Sequence, residues 1–119
     1  MKILIADDQA IVRKGLANIL KDEFTELELG EASNSIDTIN KSRKIYWDLI
    51  LLDISMPGRS GLETLKQMRE DGIKAPILML SMHPEDQYAL RVLKAGASGF
   101  VNKDAATDEL IKAVHKVMT

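Results

Sequence analysis

Short apolar runs alternate with longer segments of helical period along the whole chain, and this alternation limits the possible folds more than any other feature. The runs are Lys2 to Ala6, Leu27 to Ala32 (the weakest), Leu49 to Leu52, Pro76 to Leu80 and Gly99 to Val101. Runs this short and this uniformly apolar read as strands buried on both faces. Between them, Val12, Leu16, Ile19 and Leu20 form one helical stripe, Leu62, Leu65 and Met68 another, and Leu110, Ile111, Val114 and Met118 a third. Residues 34–43 predict a poorer helix anchored on Ile36 and Ile39, and residues 85–95 a better one through Ala89, Leu90, Val92 and Leu93. Five strands alternating with five helices predict an α/β fold, a parallel sheet covered on both sides. With 119 residues and no repeat, linker or low-complexity segment, the chain reads as one domain.

Composition removes several functional classes. Sixteen Lys plus Arg against 18 Asp plus Glu give a net charge of -2, so no general electrostatic grip on DNA or an anionic membrane is expected. The absence of cysteine excludes disulfides, thiolate nucleophiles and thiolate metal sites and fits a reducing cytoplasm, the expected location. The first apolar run is too short for a signal peptide or a membrane span.

Ligands of open α/β sheets bind beyond the carboxyl ends of the strands. Run one ends in Asp7-Asp8, run three in Asp53, run four in Ser81 and run five, after Asn102, in Lys103. Adjacent strands lie about 4.8 Å apart, so carboxylates at neighbouring strand ends repel one another in a partly desolvated crevice. A divalent cation relieves that repulsion. The donors are all oxygens, which suits a hard ion such as Mg²⁺ completed by water and a phosphoryl oxygen. Lys103 supplies a second positive charge and Ser81 a hydroxyl donor for an incoming phosphoryl group. Asp53 is then a candidate nucleophile that forms an acyl phosphate.

The segments ILIADD, LILLDISMPGRSGLE, ILMLSMHPED and GASGFVNKD, in that order and spacing, resemble the receiver domain of bacterial two-component response regulators over the whole of residues 1–119. The resemblance implies a flavodoxin-like (βα)5 fold, a doubly wound sheet of strand order 2-1-3-4-5. It implies that Asp53 accepts a phosphoryl group from a sensor histidine kinase. It also implies that Asp8, Asp53 and the Ser55 backbone carbonyl bind Mg²⁺, with Asp7 assisting through water. By the same likeness Lys103 pairs with the phosphoryl group, Ser81 is the switch hydroxyl and Phe100 the aromatic whose rotation follows it, relaying the change to the surface of residues 85–103. A receiver of this kind is no enzyme toward other molecules and catalyses only its own phosphorylation and dephosphorylation.

Two details, Ser81-Met82-His83 and Asp104 after the lysine, resemble the LuxR-type transcription regulators. In that branch a helix-turn-helix domain follows the receiver. Such a domain is expected beyond Thr119 in a longer protein, so DNA would be engaged only through it, and a homodimer on phosphorylation is a further expectation. The alternative is a stand-alone receiver acting by protein–protein contact.

Plainer readings compete at each position. Asp8 precedes a helix and could serve only as its N-cap. Ser81 alone reads as a satisfied loop hydroxyl and Lys103 alone as a surface lysine. Asp53 is harder to dismiss, because an apolar run leads to it and Pro57-Gly58 then turns the chain, Gly58 permitting positive φ. His83 and His115 read as surface residues, Trp47 as packing at a strand entrance and the methionines as gap-fillers. A haloacid-dehalogenase-like phosphatase would want an acid where Ser55 stands. A flavodoxin-like mononucleotide site would want Ser, Thr and Gly where DDQAIVR stands. A receiver that works without phosphate is disfavoured, since no member of the acid set is missing.

Overall fold

The computed structural model describes residues 1–82 and 86–119, with side chains from residue 89 onward in the second segment. The expectation that His83 lies on the surface falls outside the described residues. Five strands, β1 (Lys2–Ala6), β2 (Glu28–Ala32), β3 (Leu49–Asp53), β4 (Ile77–Ser81) and β5 (Gly99–Asn102), form one sheet. They alternate with α1 (Ala10–Glu23), α2 (Ser35–Lys44), α3 (Gly61–Glu70), α4 (Asp86–Lys94) and α5 (Thr107–Met118). All pairings are parallel and the order is β2-β1-β3-β4-β5. The order reverses between β1 and β3, so the crevice of the sheet opens at the ends of those two strands.

Side chains leave a strand alternately to its two faces, and the two cores follow from that. Leu4, Ala6, Ile50, Leu52, Ile77 and Met79 point to the face covered by α2, α3 and α4. Ile3, Ile5, Leu49, Leu51, Leu78 and Leu80 point to the face covered by α1 and α5, where Leu20, Leu110 and Val114 close the layer. All of β3 and β4 is buried, as two-sided burial requires. β2 forms one edge of the sheet and leaves Glu28 and Glu31 exposed. Trp47 is buried just before β3 and donates its indole N–H to the Lys41 carbonyl at 2.9 Å, in keeping with packing at a strand entrance. No helix among the described residues is long and apolar enough to cross a membrane.

Two helices differ from their sequence reading. In α2, Ile39 is buried but Ile36 is 67% exposed. The inward face is made instead by Ser35, Thr38 and Ser42. Their hydroxyls are satisfied internally: Ser35 Oγ lies 2.7 Å from Thr64 Oγ1 of α3, Thr38 donates to the Asn34 carbonyl at 2.7 Å and Ser42 to the Ile39 carbonyl at 2.7 Å. Hydrogen bonding removes most of the penalty for burying them. In α4, Val92 is fully buried whereas Leu90 and Leu93 are exposed. They belong to the outer part of that helix rather than to the core.

Candidate functional site

The parallel register carries the polar residues of the strand ends to one edge. Ala6 pairs with Leu52, so Asp7 and Asp53 follow side by side, and Ser81 pairs with Asn102, which places Lys103 next along β5. The chain is pinned there by the Lys103 N–H donating to the Ser81 carbonyl at 2.9 Å and the Ile54 N–H donating to the Leu80 carbonyl at 3.0 Å. Carboxylate oxygens of Asp7, Asp8 and Asp53 all lie within 4.8 Å of one another. Asp7 is fully buried and Asp53 is 2% exposed, while Asp8 faces solvent. Lys103 is nearly buried, its Nζ 2.8 Å from Asp7 Oδ2 and 3.3 Å from Asp53 Oδ2.

Asp8 does not occupy the cap of α1. Gln9 holds that position, with no side-chain cap bond, and it is Asp7 Oδ1 that accepts the Gln9 N–H at 2.9 Å. The loop after β3 is held by the Ser55 N–H donating to Asp53 Oδ1 at 3.2 Å and the Gly61 N–H donating to the Ile54 carbonyl at 2.8 Å. Gly58 takes φ of 92°, the left-handed conformation its position in the turn suggested. The same loop meets α2, where the Ser35 N–H donates to the Pro57 carbonyl at 3.3 Å.

Burial pushes the Asp53 carboxyl above the ordinary carboxylate range. The charge of Asp7 adds to the effect, while the Ser55 N–H and Lys103 oppose it without cancelling it. Burial works against the ammonium of Lys103, but its close approach to Asp7 and the charges of Asp53 and Asp7 outweigh that, and its pKa is raised. Among the described residues, Lys103 is the cation in ion-pair contact with this group of three acids. Asp7 Oδ2 is buried and, although Lys103 is near, accepts no hydrogen bond of good geometry. A second cation fits this cluster. The donor set is all oxygen, which suits a hard divalent ion rather than zinc.

Two participants are not legible as site residues in the sequence. Arg13 of α1 donates from Nη1 to the Asp7 carbonyl at 2.7 Å and from Nε to Glu31 Oε1 at 2.9 Å. Gly61 lies so close to the β3–α3 loop that a Cβ there would be 2.5 Å from Ile54 Cα and 3.0 Å from the Asp53 carbonyl oxygen. The only sequence signal for it is a glycine at the first position of a helix, where better helix formers are available. Ser81 is 8% exposed at the end of β4. Phe100 is half-buried, packs against the α2–α3–α4 core and lines a groove of about 530 Å³ with Leu78, Ala89, Leu93, Ala113 and Val117. His115 is exposed but engaged, its Nε2 2.6 Å from Glu23 Oε2 and its ring against Phe24.

The chain resembles known proteins in both sequence and fold. The family profile described as "Response regulator receiver domain" matches residues 3–115. Response regulator UvrY of Escherichia coli (strain K12) is 35% identical over 117 residues, covering 98% of this chain and 54% of that protein. The nitrate/nitrite response regulator protein NarL of the same organism is 36% identical over 114 residues, covering 96% and 53%. The chain therefore spans about half the length of the curated relatives it matches. Among solved structures, a LuxR-family two-component response regulator from Aurantimonas sp. SI85-9A1 superposes with a TM-score of 0.90 at 30% identity, covering 98% of this chain and 84% of that one. The signal receiver domain of the putative response regulator NarL from Mycobacterium tuberculosis gives 0.89 at 27% identity, covering 98% and 94%. With a sheet of order 2-1-3-4-5, an acid cluster at its switch point and these likenesses, the chain belongs to the response regulator receiver domain family, in its LuxR-type branch, and so to phosphorylation-dependent signalling.

Proposed function

We propose that Asp53 is the phosphoacceptor of this receiver and that it takes its phosphoryl group from a phosphohistidine of a sensor kinase. The observation that carries the reading is the placement of Asp53: 2% exposed at the end of β3, within 4.8 Å of the Asp7 and Asp8 carboxylates and 3.3 Å from Lys103. A carboxylate oxygen of Asp53 attacks phosphorus, the new O–P bond replaces the P–N bond, and the freed histidine nitrogen keeps the electron pair. Asp8, Asp53 and the Ser55 carbonyl are the residues that would hold Mg²⁺, with Asp7 behind them. Bound there, Mg²⁺ would neutralise charge on the carboxylates and on the transferring phosphoryl oxygens. Lys103 then exchanges its contact with Asp53 for one with the phosphoryl group, retaining Asp7 as its partner. The ion pair at 2.8 Å supports Asp7 as the anchor of Lys103, alongside its assisting part at the metal through water.

Readout follows from the same edge. The phosphoryl group draws the Ser81 hydroxyl toward it, and Phe100 turns inward toward the space the hydroxyl leaves. That changes the surface of α4 and β5. The first part of the expected relay, around residues 83–85, lies outside the described residues. In a longer protein of the LuxR-type branch, a helix-turn-helix domain following the receiver would read this surface and bind DNA, and phosphorylated receivers would pair.

The test is incubation with acetyl phosphate and Mg²⁺ followed by mass spectrometry. One phosphoryl group on Asp53, absent from Asp53→Asn, is the expected result. Undiminished labelling of the variant overturns the assignment.

A further inference from the structure

We infer that Arg13 is a positioning residue for the metal site, setting the direction in which Asp8 presents its carboxylate. The inference rests on the Mg²⁺ reading proposed above. Each polar group of Asp7 has its own restraint. Its N–H donates to the Ala32 carbonyl at 3.0 Å, its Oδ1 accepts the Gln9 N–H at 2.9 Å, its Oδ2 faces Lys103 at 2.8 Å, and its carbonyl accepts from Arg13 Nη1 at 2.7 Å. The last of these matters most for Asp8. The Asp7 carbonyl belongs to the peptide unit that joins Asp7 to Asp8, and that unit is planar, so holding its oxygen fixes the backbone from which the Asp8 side chain departs.

Arg13 is itself held. Its Nε donates to Glu31 Oε1 at 2.9 Å, and its side chain is only 17% exposed. The fork therefore ties three elements together: the start of α1, the end of β1 and the end of β2. Glu31 is fixed in turn from the far side, where Lys41 Nζ donates to its backbone carbonyl. Asp8 itself is exposed. Its aim depends on the peptide behind it, as a metal ligand's orientation depends on the groups that hydrogen-bond behind it.

Charge and position predict opposite signs, which makes the inference testable. If Arg13 acted only as a nearby positive charge, its removal from beside three acids would strengthen Mg²⁺ binding. If it acts by aiming Asp8, removal weakens binding. Arg13→Met keeps length and helix propensity without charge or donor, and Arg13→Lys keeps charge but not the fork. Calorimetric titration of each protein with Mg²⁺, paired with melting in EDTA, is the experiment. The expected result is affinity lower by about 10-fold in Arg13→Met, a smaller loss in Arg13→Lys, and a displaced Asp8 amide resonance in metal-free Arg13→Met. Unchanged or tighter binding in Arg13→Met overturns the inference. If that variant does not fold, unchanged affinity in Arg13→Lys overturns it equally, since charge alone is preserved there. Asp8→Ala serves as the reference for loss of the ligand. A wild-type domain that takes up no Mg²⁺ overturns the metal reading and this inference together, whereas normal uptake by both wild type and Arg13→Met overturns this inference alone.

Discussion

Lys103 Nζ lies nearer to Asp7 than to Asp53, at 2.8 Å against 3.3 Å, and Asp7 is fully buried. The ammonium is therefore the main counter-charge of an acid with no access to water. Replacing it with the apolar Lys103→Met leaves Asp7 buried and unpaired, a change that costs about 3 kcal/mol in comparable sites. Lys103 titrates above its ordinary value in the fold, so its stabilising effect is complete below the unfolded pKa and fades only as pH rises through the folded one. The deficit of Lys103→Met should thus be constant between about pH 6 and 9, well below the lysine range, and Mg²⁺ should recover part of it. Urea unfolding of both proteins with and without Mg²⁺ measures this. Equal stability of the two without metal would show that Asp7 does not depend on Lys103.

The neighbouring acid has the opposite sign. Burial raises the Asp53 pKa, and Asp7 adds to the rise, so the folded protein holds the Asp53 proton more tightly than the unfolded chain does. Ionised Asp53 therefore costs stability at neutral pH, and the cost is relieved as pH falls through its folded pKa toward the ordinary carboxylate range. Asp53→Asn removes the charge permanently. Without metal at pH 7 the variant should therefore melt higher than wild type. The gap should narrow toward acid pH and on adding Mg²⁺ to both proteins. A variant that melts no higher than wild type at pH 7 in EDTA would contradict the burial argument.

Gly61 makes a prediction about packing. A methyl group there meets Ile54 Cα at 2.5 Å and the Asp53 carbonyl at 3.0 Å, both backbone atoms that cannot step aside as a side-chain tip could. Overpacking of this kind costs about 1–3 kcal/mol, against a gain of at most about 1 kcal/mol from replacing glycine by alanine in a helix. Gly61→Ala should be less stable overall. Because the displaced atoms carry Asp53, it should also be phosphorylated more slowly by acetyl phosphate, with Mg²⁺ affinity reduced. A Gly61→Ala protein as stable as wild type, and labelled at the same rate, would mean that the loop yields freely.

These residues mark where sequence reading succeeds and where it stops. β3 and β4 were legible because a strand buried on both faces must be apolar throughout, and the strand-end acids were legible because a parallel sheet carries all such ends to one edge. Ile36 fits the pattern of an anchor yet lies exposed. The true inner face of α2 is hydroxylated, and a hydroxyl that bonds to the carbonyl of its own previous turn or to Thr64 across the interface has no signature in a hydrophobic pattern. Leu90 and Leu93 show the converse, apolar residues that a pattern assigns inward and the helix leaves outside. Arg13 is not legible because its partners are a backbone carbonyl and Glu31, 18 residues away on another element, and its sequence neighbourhood resembles any helix surface. The constraint on Gly61 exists only once the loop after β3 has folded over it.

How the signal leaves the site can be tested at Ser81. Its backbone is fixed independently of its side chain, since the Ser81 carbonyl accepts the Lys103 N–H at 2.9 Å and Ser81 pairs with Asn102 in the sheet. Ser81→Ala therefore removes the hydroxyl while leaving Lys103 and the strand end in place. Phosphorylation of Asp53, as proposed, would add charge and three acceptor oxygens near this position, and a two-state element needs only a few kcal/mol of differential interaction to shift. Asp53, the proposed phosphoacceptor, and its acidic neighbours are untouched in the variant, so Ser81→Ala should still take up one phosphoryl group. It should fail to move Phe100, which stands on β5 opposite Met79, two residues before Ser81 on β4. Amide shifts over residues 89–103, compared between wild type and Ser81→Ala before and after phosphorylation, give the answer. The expected outcome is large changes in wild type and small ones in the variant, with those at Lys103 retained in both, since the proposed contact of its ammonium with the phosphoryl group does not involve the Ser81 hydroxyl. Identical changes in the two proteins across β5 would mean that Phe100 responds to the phosphoryl group by a route that does not include the Ser81 hydroxyl.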